Sequence, residues 1–307
     1  MNVVTLTGNL LAEWTFDIVS MLPGTTHRAE SMSFQVGGKG VNVCRILGRL
    51  GTQSEAIGFA GGTLSRHCSE WLDGKGIRHV FFPLEDSVRP GVVIRETASE
   101  VPETTFLGKD APVSKQSWSE ACNHAKGCSA NWMAICGSIP GWQADWKHTL
   151  EDLHESSTLL AVDSYGPPLQ DLVEIPIDLV KINRKELDSL LPGKTELETI
   201  DLLRCAVGIF PVRNWIITDG PRPMVAYFQP STLYTIKPAS VTEVSAMGSG
   251  DTFLAALLSK WGPASNPEEA LKFACACATG NAASPGIGDF PLPPLEAYYP
   301  DIRIMNH

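Results

Sequence analysis

The chain's 307 residues are 43% hydrophobic and 19% charged, a globular balance with material for a large core in one domain or two. A formal net charge of -10 and a pI of about 5.2 disfavour nucleic acid and anionic membranes as partners. They leave room for an anionic small molecule met by local cations or helix N-termini. The 8 cysteines include no Cys-x-x-Cys pair, and several lie in apolar runs, which fits buried thiols in a reducing compartment better than disulfides or a zinc site. Met1 to Trp14 lacks the basic start of a secretory leader, and no apolar stretch is long enough to span a bilayer. A cytoplasmic location is the expectation.

In chain order, Val3 to Thr7, Glu55 to Phe59, Trp132 to Cys136, Leu159 to Asp163, Leu179 to Ile182 and Trp215 to Thr218 read as short buried strands. Helical patterns lie between them. Asn42 to Leu50 sets Val43, Ile46, Leu47 and Leu50 on one face, with Gly51 as a stop. Asn266-Pro267-Glu268-Glu269 reads as a helix start, with a capping Asn, Pro in first position and acids in the first turn. Strand–helix alternation of this kind predicts a parallel sheet covered on both faces. Thr15 to Val36 and Ser87 to Phe106 break the alternation and read as an antiparallel flap beside it.

Two glycine motifs carry the chemistry. Gly37-Gly38-Lys39-Gly40-Val41-Asn42 runs into the first helix. Glycines there let backbone N–H groups approach an anion; Lys39 adds a charge and Asn42 a bifunctional amide. A tight strand-to-helix turn explains the same glycines equally well. Gly248-Ser249-Gly250-Asp251 opens a helix apolar on most faces, through Phe253, Leu254, Leu257 and Leu258, and so a buried one. The backbone of Gly248, Ser249 and Gly250 suits phosphoryl oxygens, and Asp251 suits the proton of an attacking hydroxyl. By itself that turn is more simply a capped helix start. The helix dipole predicts a lowered pKa for Asp251, making it a weak base that takes its proton late. A P-loop is disfavoured, because at Gly193-Lys194-Thr195 the first glycine position holds Asp188.

Together the two motifs resemble the signatures of the PfkB (ribokinase-like) carbohydrate kinases. Gly58-Phe59-Ala60-Gly61-Gly62, Cys136-Gly137-Ser138-Ile139-Pro140, Lys181-Ile182-Asn183-Arg184-Lys185-Glu186-Leu187, Thr218-Asp219-Gly220 and Ala278-Thr279-Gly280-Asn281 look like further family elements, so the resemblance covers nearly the whole chain. It implies an α/β fold of three layers, α/β/α, in a single domain over residues 1–307, with a small β lid from about 12–36 and 87–107. It implies ATP as co-substrate with Mg2+, and a monovalent cation as a further option. By position it implies Asp251 as base over an anion hole at Gly248, Ser249 and Gly250. Substrate contacts would come from Gly37, Gly38, Lys39, Asn42, Arg89 and Ser138, and nucleotide contacts from Asn183, Thr218, Gly220 and Asn281. Asn183 and Glu186 would organise the metal through water. A homodimer through the lid is also implied as an option.

Within the family the chain looks closest to the 1-phosphofructokinase and tagatose-6-phosphate kinase branch, with a sugar or sugar phosphate as acceptor. It departs from that branch around the acceptor. Leu11 stands where the branch has a sugar-gripping Asp, and Val88-Arg89-Pro90-Gly91 replaces Thr-Arg-x-Asn. Two other readings stay open: a kinase of an unphosphorylated sugar or nucleoside, and a non-catalytic binding protein of the same fold.

Overall fold

The computed structural model describes residues 2–98, 103–151, 157–262, 265–290 and 295–307. The short apolar runs pair as expected. Strands β1 (Asn2–Thr7), β4 (Gln53–Ala60), β5 (His79–Pro83), β8 (Trp132–Cys136), β9 (Leu159–Asp163), β10 (Leu179–Asn183) and β11 (Asn214–Thr218) are parallel neighbours. They belong to a 10-stranded sheet in the order β14-β13-β12-β11-β10-β9-β8-β1-β4-β5. Its last strands, β12 (Met224–Phe228), β13 (Thr232–Lys237) and β14 (Arg303–Asn306), are antiparallel, an extension that strand–helix alternation did not anticipate.

Strand alternation sends side chains to two cores. Val4, Leu6, Ile135, Val162, Ile182 and Ile217 meet Trp118 of α3 (Lys115–Gly127) and Leu203 of α7 (Thr199–Ile209). Val3, Ala134, Ala161 and Ile216 meet Ile46 of α1 (Lys39–Arg49), Phe253 of α8 (Ser249–Lys260) and Leu271 of α9 (Pro267–Ala282). The sheet is thus covered on both faces, and each fully buried aliphatic side chain contributes about 1.5–3 kcal/mol. α9 starts as its sequence requires: the Asn266 side chain accepts from Glu268 N, with Pro267 in the first turn. α1 begins earlier than the apolar periodicity suggests, because Lys39, Gly40 and Val41 are already helical.

The helix-poor segments form a second sheet in the order β3-β2-β6-β7, from β2 (Leu11–Ile18), β3 (Ser31–Gly37), β6 (Arg89–Glu96) and β7 (Thr104–Leu107). Residues 99–102 of the expected lid segment lie outside the described residues. β2–β3 and β6–β7 are antiparallel pairs, but β2 and β6 run parallel, so the sheet is mixed rather than antiparallel. β2 follows β1 and β6 follows β5, two parallel strands of the main sheet, so both enter in one direction. Leu10, Ala12, Val36, Val41, Cys68 and Leu72 anchor this sheet on α1 and α2 (Leu64–Gly74).

Candidate active site

The parallel register aligns strand ends: Thr7 faces Cys136, Cys136 faces Asp163, and Asn183 faces Thr218. Crevices outside the carboxyl ends of such strands are where open α/β sheets bind ligands. The motif residues converge there.

Gly38 caps α1 with φ 123°, and a Cβ on it would sit 2.5 Å from Thr7 Cγ2. The tight turn and the polar site are therefore one feature: the same close approach of α1 to β1 brings Lys39 and Asn42 to the sheet edge. Gly248 caps α8 in the left-handed region, at φ 72°, and turns the chain so that Asp251 lies in the first helical turn.

Asn42 Nδ2 donates to Asp251 Oδ2 at 2.8 Å. Asp251 is buried, and its pKa is raised to about 6. Burial and the charge of Asp163 drive it up, and the Asn42 hydrogen bond with Lys181 and Lys39 only partly opposes them. This reverses the expected lowering. In a desolvated cleft, losing water and facing another carboxylate outweighs a helix N-terminus.

Asp163 is the centre of an ion network. Lys181 Nζ lies 2.6 Å from its Oδ2 and Lys39 Nζ 2.7 Å from its Oδ1. Burial alone would raise this carboxyl, but the two lysines hold it below its ordinary value. Lys39 also lies 3.7 Å from Glu186 Oε1; burial works against its charge, but Asp163, Glu186 and Asp251 keep its pKa well above the ordinary value. Lys181 Nζ would be 2.8 Å from a Cβ at Gly250, so an ammonium lines the Gly248–Asp251 turn.

Within that turn the donors are unequal. Ser249 N–H is turned back to Ala246 O at 3.2 Å, so the backbone hole expected from Gly248, Ser249 and Gly250 loses its middle donor. Asn281, expected against a nucleotide, is fully buried. Its Nδ2 donates to Met247 O and Ser249 Oγ, while its Oδ1 accepts from Thr252 Oγ1 and Gly288 N. These four hydrogen bonds brace the Gly248–Asp251 turn from behind.

Asn183 and Glu186 form a capping box on α6 (Arg184–Leu190): Glu186 N donates to Asn183 Oδ1, and Asn183 N donates to Glu186 Oε2. Asn183 Oδ1 is committed to the cap. Glu186 Oε1 takes no part in the cap and lies 3.7 Å from Lys39 Nζ. Thr218 lies beside Asn183 at the end of β11, where its Oγ1 reaches Ile182 O at 3.4 Å, and Gly220 follows in a turn at φ 58°.

On the other side, Arg89 Nη1 and Asn9 Nδ2 both donate to Asp110 Oδ1 at 2.9 Å. Arg89 Nε is buried without a hydrogen-bond partner among the described residues. Ser138 Oγ accepts from Asn9 Nδ2 at 3.4 Å and from Tyr165 OH at 3.2 Å, and Lys39 Nζ sits 5.6 Å from the Tyr165 ring centre. Leu11 pairs with Gly37 and Arg89, and its Cδ1 would be 2.8 Å from a Cβ at Gly91, so it forms an apolar wall.

A family model described as pfkB family carbohydrate kinase matches residues 3–293. The chain belongs to that family. It is a carbohydrate kinase on a ribokinase-like α/β fold, an enzyme that transfers phosphoryl groups. Among curated proteins it is similar to a 1-phosphofructokinase of Haemophilus influenzae, at 26% identity over 99% of this chain and 98% of the relative. A 1-phosphofructokinase of Borreliella burgdorferi is 24% identical over 94% of each. Among solved structures, phosphofructokinase-2 from Escherichia coli in complex with potassium superposes with a TM-score of 0.87 at 21% identity, over 97% of this chain and 98% of that one. A ribokinase from Thermotoga maritima gives 0.73 at 18% identity, over 96% and 98%.

Reading the sequence of this kinase did not single out Asp163, Lys181 or Asp110 as site residues. Asp163 ends a strand that was recognised, and Lys181 stands inside a quoted motif; both signals were present and unassigned. Asp110 sits in a loop with no pattern of its own.

Proposed function

We propose that the chain transfers the γ-phosphoryl group of ATP to a hydroxyl of a sugar or sugar phosphate, as a 1-phosphofructokinase-like enzyme. The observation that carries this is Asp251: a buried carboxylate with pKa about 6, fixed by Asn42 at the N-terminus of α8 and flanked by Lys181. Asp251 takes the acceptor's hydroxyl proton while that oxygen bonds to the γ-phosphorus and ADP leaves. Gly248, Gly250 and Lys181 stabilise the phosphoryl oxygens. Thr218 and Gly220 border the nucleotide.

Mg2+ travelling with the nucleotide would neutralise phosphate charge, and Glu186 Oε1 is a hard oxygen that suits it through water. A monovalent-cation requirement belongs to this reading, supported by the potassium complex of Escherichia coli phosphofructokinase-2. So does a homodimer through the second sheet, supported by exposed Met32, Phe106 and Leu107 and by a solved tetrameric form of the same Escherichia coli protein.

The acceptor side has its own logic. Lys39, Asn42 and Ser138, with the unpartnered Nε of Arg89, favour a phosphorylated acceptor. Asp110 is a half-exposed carboxylate between Asn9 and Arg89, and we assign it the hydroxyl contact that Leu11 cannot make. The same ion pair supports a second reading, in which Asp110 already satisfies Arg89 and the acceptor is unphosphorylated. An ATP-consumption screen over fructose 1-phosphate, other sugar phosphates, free sugars and nucleosides decides between them. Turnover of none would return the chain to the binding-protein reading.

A further inference from the structure

The spacing of the cysteines holds no metal pattern, yet folding brings Glu55, His124 and Cys128 together at the opposite end of the sheet from Asp251. Glu55 lies near the start of β4, whereas Gly58, three residues on, is level with Thr7 at the ligand-binding edge. His124 lies in the last turn of α3 and Cys128 caps it, four residues later on the same face. Glu55 Oε2 accepts from His124 Nε2 at 2.8 Å and from Cys128 Sγ at 3.3 Å. The three ligand atoms lie within 4.8 Å of one another. Arg78 Nη2 approaches the other oxygen, Oε1, at 3.3 Å, from a side chain 76% exposed that can swing away. Phe82 packs edge-on to the His124 ring and fixes its plane.

We propose that Glu55, His124 and Cys128 bind a divalent cation of the zinc class, through Oε2, Nε2 and Sγ, with water as fourth ligand. Mixed sulfur, nitrogen and oxygen donors select zinc over Mg2+ or Ca2+, which favour oxygen alone. Two protons now hold the three groups together, and one cation replaces both. On binding, the thiol proton leaves to solvent and the imidazole proton moves from Nε2 to Nδ1. The cation takes the place of the thiol proton, so affinity falls as pH falls. The ion clasps α3 to β4, away from the phosphoryl-transfer residues, and stabilises the fold without entering the chemistry.

The test is titration of the chelator-treated protein with Co2+ and then Zn2+. The expected result is one equivalent of tetrahedral cobalt with a thiolate charge-transfer band, displaced by Zn2+, and a melting temperature raised by Zn2+. Cys128→Ser should abolish the band, and His124→Ala should weaken binding roughly 10-fold or more, by analogy with losses at metal-site partners. Absence of the band in the wild-type protein, its survival in Cys128→Ser, or an unchanged Co2+ affinity in His124→Ala overturns the proposal. Circular dichroism of both variants shows that the loss is not unfolding.

Discussion

Asn42 Nδ2 and Asp251 Oδ2 lie 2.8 Å apart across 209 residues of sequence, tying the start of α1 to the start of α8. The bond favours the charged carboxylate, while burial and Asp163 oppose it. With Asp251 as the base, kcat/KM falls on the acid side with a midpoint near pH 6. Asn42→Ala removes a contact that lowers the pKa, so the acid limb moves to higher pH. A pH–rate profile of both proteins checks this; an unmoved limb contradicts it.

Asp251→Asn should lower kcat by roughly 10²- to 10⁴-fold, the contribution of a positioned base. It should also stabilise the protein above pH 6. The folded pKa of about 6 exceeds the ordinary 3.8, so the folded state binds the extra proton and loses stability as pH rises from 3.8 through 6. Removing the charge recovers at most about 3 kcal/mol. Thermal melts at pH 8 should show the variant above wild type, and at pH 4 the gap should shrink.

Lys181→Met leaves Asp163 buried with Lys39 as its remaining ammonium partner. Removing one partner of a buried pair costs about 3–5 kcal/mol. Adding Asp163→Asn should recover part of the loss, measured by urea unfolding of the two variants. A double variant that sums the single losses would show that the pair is not coupled.

Arg89→Ala should raise KM chiefly for phosphorylated acceptors, with little change in kcat. Asp110→Asn frees the guanidinium from its partner. It should raise KM for a free sugar whose hydroxyl the carboxylate accepts, and raise it less for a sugar phosphate, whose phosphate gains the freed guanidinium. Unchanged KM for both acceptor types would remove Asp110 from the acceptor site.

Much of this was legible in the sequence, for reasons particular residues explain. Trp132–Cys136 and Leu159–Asp163 are strands over the span their short apolar runs indicate. Central parallel strands must be apolar on both faces, which bounds them sharply. β12 to β14 were missed because no helical pattern separates β12 from β13 and because β13 and β14 are only partly buried, so strand–helix alternation gives no cue. The start of α1 was misplaced because Lys39 and Gly40 break apolar periodicity while already helical. The bracing by Asn281 was not legible because it depends on Met247, Thr252 and Gly288 meeting it in space, and the direction of the Asp251 pKa shift because the charge of Asp163 reaches it from another element.

α8 is buried at every position from Asp251 to Leu258. A helix so enclosed cannot fray from its first turn without opening the core between α1 and α9. Amides of Thr252 to Leu258 should therefore exchange with solvent only through global unfolding, while those of Thr104 to Leu107, on an exposed edge strand, exchange through local opening. Hydrogen exchange can separate the two regimes. Warming would then loosen the cleft's outer wall well before its floor, and the Gly248–Asp251 turn would lose its shape only when the whole molecule does.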